Sequence, residues 1–104
     1  MTRSITPEAL KKVVAEVYVL DARRSADREA SDEQLPGAHW HDPEKVDEWA
    51  KQLPKNQAIV VYCVRGGSVS NGMVDAIRGL GHDACFVEGG IEGWKASGGE
   101  TFFK

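Results

Sequence analysis

Apolar residues recur along the chain in two rhythms, and the clearest change from one to the other spans residues 58–80. Ala58-Ile59-Val60-Val61-Tyr62 is a continuous apolar run, the pattern of a strand buried on both faces. Val69, Met73, Ala76, Ile77 and Leu80 follow at helical spacing, forming one stripe of an amphipathic helix. Only Cys63-Val64-Arg65-Gly66-Gly67-Ser68 separates the two. A cysteine is therefore expected at the carboxyl end of a buried strand, followed by a glycine-containing turn and a helix N-terminus.

The same reading extends over the chain. Residues 3–5 suit a short edge strand, and Thr6-Pro7-Glu8 starts a helix with a capping hydroxyl and a first-turn proline. Its apolar stripe is Leu10, Val13, Val14 and Val17. Residues 17–20 then read as a buried strand ending at Asp21-Ala22-Arg23, and the charged segment 24–34 reads as a solvated loop with one helical turn and no assigned chemistry. Leu35-Pro36-Gly37-Ala38 is a turn before a short strand over 38–40. Asp42-Pro43-Glu44 caps a helix with Val46, Trp49, Ala50 and Leu53 inward, and Pro54 ends it. Gly81 stops the later helix, residues 84–87 form the last core strand, and residues 91–96 form a short helix. The glycine-rich tail from Ser97 is expected to be peripheral. Strands alternating with helices predict an α/β fold, three layers deep, with a small and mainly parallel central sheet flanked by helices.

Length and charge narrow the function. The 104 residues suit a single domain over 1–104. A net charge of -3 gives no basic footprint, so nucleic acid is not an expected partner. No long apolar run predicts a membrane span and no leader is visible. Two cysteines make no disulfide scaffold and suit a reducing cytoplasm.

The segment after the buried strand carries the chemistry. Ligands of open α/β sheets bind outside the carboxyl ends of the strands. Successive backbone N–H groups in a tight turn make an anion-binding nest, and a helix start adds unsatisfied N–H groups and partial positive charge. A thiol facing such a nest has its pKa lowered, and the thiolate is the nucleophile. Cys63 is therefore the candidate nucleophile, and Val64, Arg65, Gly66, Gly67 and Ser68 the candidate anion-binding loop. Gly66 and Gly67 allow close backbone approach, Arg65 adds a cation, and Ser68 and Ser70 add hydroxyl donors at the helix start.

Four pieces together resemble the single-domain rhodaneses, the sulfurtransferase homology domain. They are Leu20-Asp21-Ala22-Arg23, the Leu35-Pro36-Gly37-Ala38 turn, Val61-Tyr62-Cys63 with its six-residue loop to Ser68, and the closing Gly89-Gly90-Ile91-Glu92-Gly93-Trp94. The resemblance implies a rhodanese-like fold and a double displacement without a cofactor or metal. Cys63 would take sulfane sulfur from a small anionic donor such as thiosulfate, become a persulfide, and pass the sulfur to cyanide, a cellular thiol or a protein acceptor. The amides of residues 64–68 would hold the persulfide anion. The chain departs from many active members in having Val64 and Ser68 where basic residues are common, leaving Arg65 as the loop's cation, and Glu33-Gln34 in place of Gly-His. A single cation favours a persulfide or polysulfide donor over dianionic thiosulfate.

Two other classes compete with this reading. An arsenate reductase or phosphatase of related fold needs an arginine where Val69 stands, to clamp its oxyanion. A non-catalytic rhodanese-like module, serving in binding or regulation, usually lacks the cysteine. Among the remaining candidates, Asp21 and Arg23 read as a pair bracing the loop within reach of substrate, and Trp40 as an aromatic at the pocket rim. Cys85 lies within an apolar strand and reads as packing. His39, His41 and Asp42 read as turn residues rather than metal ligands. His82, after a helix C-terminus, is expected in solvent.

Overall fold

The computed structural model describes residues 3–65 and 68–103, the side chains of residues 68 and 69 excepted. In chain order the elements are β1 (Ser4–Ile5), α1 (Pro7–Val13), β2 (Tyr18–Asp21), α2 (Ser25–Glu29), β3 (Glu33–Gln34) and β4 (His39–Trp40). A 3-10 turn (Pro43–Lys45), α3 (Val46–Trp49) and a second 3-10 turn (Ala50–Gln52) follow. The chain then runs through β5 (Ile59–Tyr62), α4 (Ser68–Gly79), β6 (Ala84–Val87), α5 (Gly90–Ala96) and β7 (Phe102–Phe103). Five strands form a parallel sheet in the order β1-β6-β5-β2-β4. The predicted edge strand, buried central strand and mainly parallel sheet are all present.

The continuous apolar run of β5 has a direct cause. Side chains alternate across a strand, and each face of this sheet is covered. Ile59 and Val61 join Leu20, Met73, Val74 and Ile77 on the side of α3 and α4. Val60 and Tyr62 join Leu10, Val19, Ile91 and Trp94 on the side of α1 and α5. Every residue of β5 is fully buried. Thr6 accepts a hydrogen bond from the Ala9 amide and Asp42 one from the Glu44 amide, so both expected helix caps form. Gly81 has φ +90° and ends the α4 turn, as expected of a C-terminal glycine.

Four details differ from the sequence reading. The buried side chains of α4 include Ser70, Met73, Val74 and Ile77, while Leu80 lies past the helix end and is 42% exposed. Segment 24–34 is not merely a solvated loop, because β3 pairs antiparallel with β7. The tail from Ser97 is consequently built into the molecule rather than peripheral. The Trp94 indole N–H donates to the Glu100 carbonyl (2.6 Å), the Gly99 amide donates to the Trp94 carbonyl (2.9 Å), and Lys11 donates to the Ser97 carbonyl. A Cβ on Gly99 would meet the Trp94 ring at 2.6 Å from Cδ2, so glycine here permits packing. His82 is buried, not solvated, and neither ring nitrogen has a hydrogen-bond partner.

Candidate active site

Cys63 follows the last residue of the central strand and is 7% exposed. Its position is fixed from the opposite side of the sequence. The Ile91 amide donates to the Cys63 carbonyl (2.9 Å) and the Glu92 amide to the Val64 carbonyl (3.1 Å). These are two of the N–H groups that the first turn of α5 leaves without intrahelical partners. Gly90, at φ +60°, makes this approach possible, since a Cβ there would lie 2.7 Å from the Val64 carbonyl carbon and oxygen and nearer still to the Cys63 oxygen. The Gly-Gly pair before α5 therefore clamps the backbone at the cysteine.

Asp21 ends the neighbouring strand in register with Tyr62, and Arg23 lies two residues beyond it. They form a buried ion pair at 2.7 Å, with Arg23 Nε and the Arg23 amide also donating to Asp21. Arg23 Nη2 further donates to the Glu33 carbonyl (3.0 Å), and its guanidinium lies 5.4 Å from the centroid of the Tyr62 ring. Burial alone would lower the Arg23 pKa, but the hydrogen bond and charge of Asp21 outweigh it and hold the group above its ordinary value. Burial, aided by Asp21, pushes the Tyr62 phenol well above its ordinary value, so Tyr62 remains neutral. The Leu35 amide donates to its oxygen.

A cavity of about 230 Å³ adjoins the loop, and its wall includes both Arg23 and Val64. Trp40 is not in that wall. Its indole N–H donates to the Arg23 carbonyl (2.9 Å) and the Arg28 guanidinium lies over its ring, so it braces the strand end from behind. Val64 is half-buried and Arg65 exposed. Gly66 and Gly67 lie outside the described residues, and Ser68 is placed only as the first residue of α4. Ser70, two residues further, is fully buried, and its hydroxyl has no hydrogen-bond partner.

Sequence reasoning missed Asp27, Ser31, Glu92 and Lys95, which share the cavity wall with Arg23 and Val64. Their charged and polar types drew no signal because exposed helices carry such residues routinely. Neither cysteine is in a disulfide. Cys85 is buried in β6, and desolvation pushes its thiol up to about 11. His39 stacks on Tyr18 at 4.5 Å, and His41 Nε2 hydrogen-bonds the Tyr18 hydroxyl at 3.0 Å. Burial, then the neighbouring His39, lowers the His41 pKa. Among the described residues no group of three or more His, Cys, Asp or Glu side chains is placed to hold a metal, and no helix is long and apolar enough to cross a membrane.

Comparison with known proteins agrees with this architecture. The pattern of the rhodanese-like domain matches residues 6–97, and the chain belongs to that sulfurtransferase-related family. A rhodanese-related protein from Thermoplasma volcanium superposes with a TM-score of 0.88 at 24% identity, over 99% of this chain and 100% of that one. The rhodanese-like domain of an Anabaena protein gives 0.82 at 26% identity, over 100% and 81%. A thiosulfate sulfurtransferase from Pseudomonas aeruginosa gives 0.83 at 23% identity, over 99% of this chain but only 20% of that one. No curated protein sequence matches the chain.

Proposed function

We propose that the protein is a sulfurtransferase that carries sulfane sulfur as a persulfide on Cys63. The observation that supports this most is the placement of Cys63 at the carboxyl end of the central strand, with its own and the next carbonyl tied to α5. Those two bonds hold the Cys63 and Val64 backbone in place at the mouth of the sheet. Loop amides and the α4 N-terminus then favour negative charge there, which promotes both the thiolate and the persulfide that replaces it.

The reaction is a double displacement. The Cys63 thiolate attacks the outer sulfur of the donor, a new S–S bond forms, and the donor's own bond to that sulfur breaks. Its electron pair leaves with the donor remnant, sulfite in the case of thiosulfate. A thiophilic acceptor then attacks the outer sulfur of the persulfide, and the electron pair returns to Cys63 Sγ. Residues 64–68 hold the anionic sulfur, Asp21 and Arg23 position the strand end beside it, and Arg65 supplies the loop's cationic side chain. One such cation suits a persulfide monoanion, or a polysulfide whose charge is spread along its sulfur chain, better than the compact dianion thiosulfate. The acceptor is cyanide in vitro and a thiol or protein thiol in a reducing cytoplasm.

Thiocyanate production from polysulfide and cyanide tests the reading. Wild type should turn over, Cys63→Ser should not, and polysulfide should outperform thiosulfate in kcat/KM. Equal rates for wild type and Cys63→Ser would remove the cysteine from the chemistry and favour a binding role.

A further inference from the structure

The edge strand β4 carries an arrangement that the sulfur chemistry does not use. Side chains alternate across a strand, so His39 and His41 leave one face of β4 and its extension while Trp40 leaves the other. On the first face four rings stack. His39 lies 4.5 Å from Tyr18 at an interplanar angle of 7°, Tyr18 lies 6.4 Å from His41, and His41 lies 4.8 Å from Trp49 at 19°. The Tyr18 hydroxyl and His41 Nε2 are hydrogen-bonded at 3.0 Å. On the second face the Trp40 indole N–H donates to the Arg23 carbonyl (2.9 Å), and the His41 amide donates to the Asp21 carbonyl (3.2 Å). β4 is two residues long and pairs with β2 alone, so these few contacts decide whether it stays in place.

No negative charge offsets a proton on this stack. From β2 the titratable neighbour is Tyr18, from β4 it is His39, and α3 presents the uncharged Trp49 ring. Asp21 is paired with Arg23, the Asp42 carboxylate accepts from the Glu44 amide, and Asp47 and Glu48 are exposed on α3. Among the described residues neither histidine forms an ion pair. Burial first, and His39 second, hold the His41 pKa below its ordinary value of 6.5. Release of β4 into water would restore that value. The stack therefore holds fully above 6.5 and weakens as pH falls towards the lower value.

We propose that the four-ring stack is an acid-sensitive latch on β4, closed near neutral pH and opened by protonation of His41, and that through Trp40 it sets how firmly Arg23 is held beside the cysteine loop. The latch stands on the ring geometry, and only its effect on turnover rests on the sulfurtransferase reading. Opening frees the Trp40 indole from the Arg23 carbonyl and the His41 amide from Asp21, while the central strands stay paired. Arg23 then keeps its ion pair with Asp21 but loses the brace behind its backbone.

The test follows exchange and turnover in one series from about pH 7.5 to 5, the interval of histidine titration. Exchange rates corrected for their intrinsic pH dependence give protection factors for the Trp40 indole N–H and for the Ile59 amide, which donates to the Asp83 carbonyl in the central sheet (2.8 Å). In wild type the Trp40 value should fall about fivefold or more, the lower end of ordinary coupling between sites, and the Ile59 value should hold within about twofold. His41→Gln keeps a hydrogen-bonding side chain but takes no proton, and should hold the Trp40 value within about twofold. Thiocyanate production is taken as the ratio of wild type to His41→Gln at each pH, which cancels the ionisation of cyanide and of Cys63. That ratio should fall over the same interval. A Trp40 value independent of pH, or an equal fall in His41→Gln, would overturn the proposal. So would a parallel fall at Ile59, which would mean global unfolding in place of local release. A flat rate ratio in active protein would overturn control of the site. A Trp40 fall abolished by His41→Gln, in protein whose Cys63 takes no sulfur from polysulfide, would uphold the latch and fail the sulfurtransferase reading instead.

Discussion

Gly90→Ala is the substitution that most directly probes how α5 holds the cysteine. Two costs can be separated. An alanine at φ +60° adopts a left-handed backbone, worth about 1 kcal/mol relative to glycine. The new Cβ would also lie 2.7 Å from the Val64 carbonyl, so the loop or α5 must withdraw by about 1 Å, at a further cost of about 1–3 kcal/mol as for other overpacked sites. A loss of about 2–4 kcal/mol is survivable for a domain of ordinary stability. The displacement falls on the Cys63 and Val64 backbone, where about 1 Å of misplacement can cost about 100-fold in rate. Gly37→Ala is the matched control, since Gly37 also has a positive φ (+68°) but nothing within 4 Å of a Cβ. It should lose only the backbone cost of about 1 kcal/mol and keep full activity. Urea unfolding followed by tryptophan fluorescence, with thiocyanate production, reads both effects. If Gly90→Ala were no less stable than Gly37→Ala and equally active, the account of the Gly-Gly clamp would be wrong.

Asp21→Asn leaves the buried Arg23 guanidinium without its counter-charge, and breaking a buried pair in this way should cost about 3–5 kcal/mol in urea unfolding; a loss below about 1 kcal/mol would contradict the assigned role. Glu33 ties β3 to Lys95 and Thr101, and hydrogen bonds from Lys95 first and Thr101 second hold its carboxyl below the ordinary glutamate value of 4.5. Because folding lowers this pKa, the stabilisation is present above 4.5 and is lost as pH falls through the lower folded value. The protection factors of the Phe102 and Phe103 amides, exchange rates corrected for their intrinsic pH dependence, should therefore fall on acidification below 4.5 in wild type, and Glu33→Gln should remove that fall.

What was legible in the sequence was what burial dictates. β5 is covered on both faces, so its apolar run could be read directly, and a cysteine just beyond it was recognisable as lying at the mouth of a sheet. The caps at Thr6 and Asp42 were visible because a hydroxyl or carboxylate precedes a first-turn proline. What escaped depended on distant partners. Ser70 on the buried face of α4 broke the apolar pattern, so the helix stripe was read one position away from Val74 and extended to the exposed Leu80. The β3–β7 pair consists of two residues on each side, separated by most of the chain, and Gly99 resembles a flexible tail until the Trp94 indole lies against it. The cavity wall was invisible for the same reason. Asp27 and Glu92 come into one wall only when α2 and α5 face each other across Val64.

The proposed chemistry comes down to one sulfur atom on one residue. Wild-type protein and Cys63→Ser should be incubated with polysulfide and with thiosulfate, and their intact masses compared before and after cyanide. Wild type should gain one sulfur from polysulfide, reversed by cyanide, and Cys63→Ser should gain none. Fragmentation should place the sulfur on Cys63 and not on Cys85, whose thiol burial keeps protonated. No gain from either donor, or an equal gain on Cys63→Ser, would contradict it.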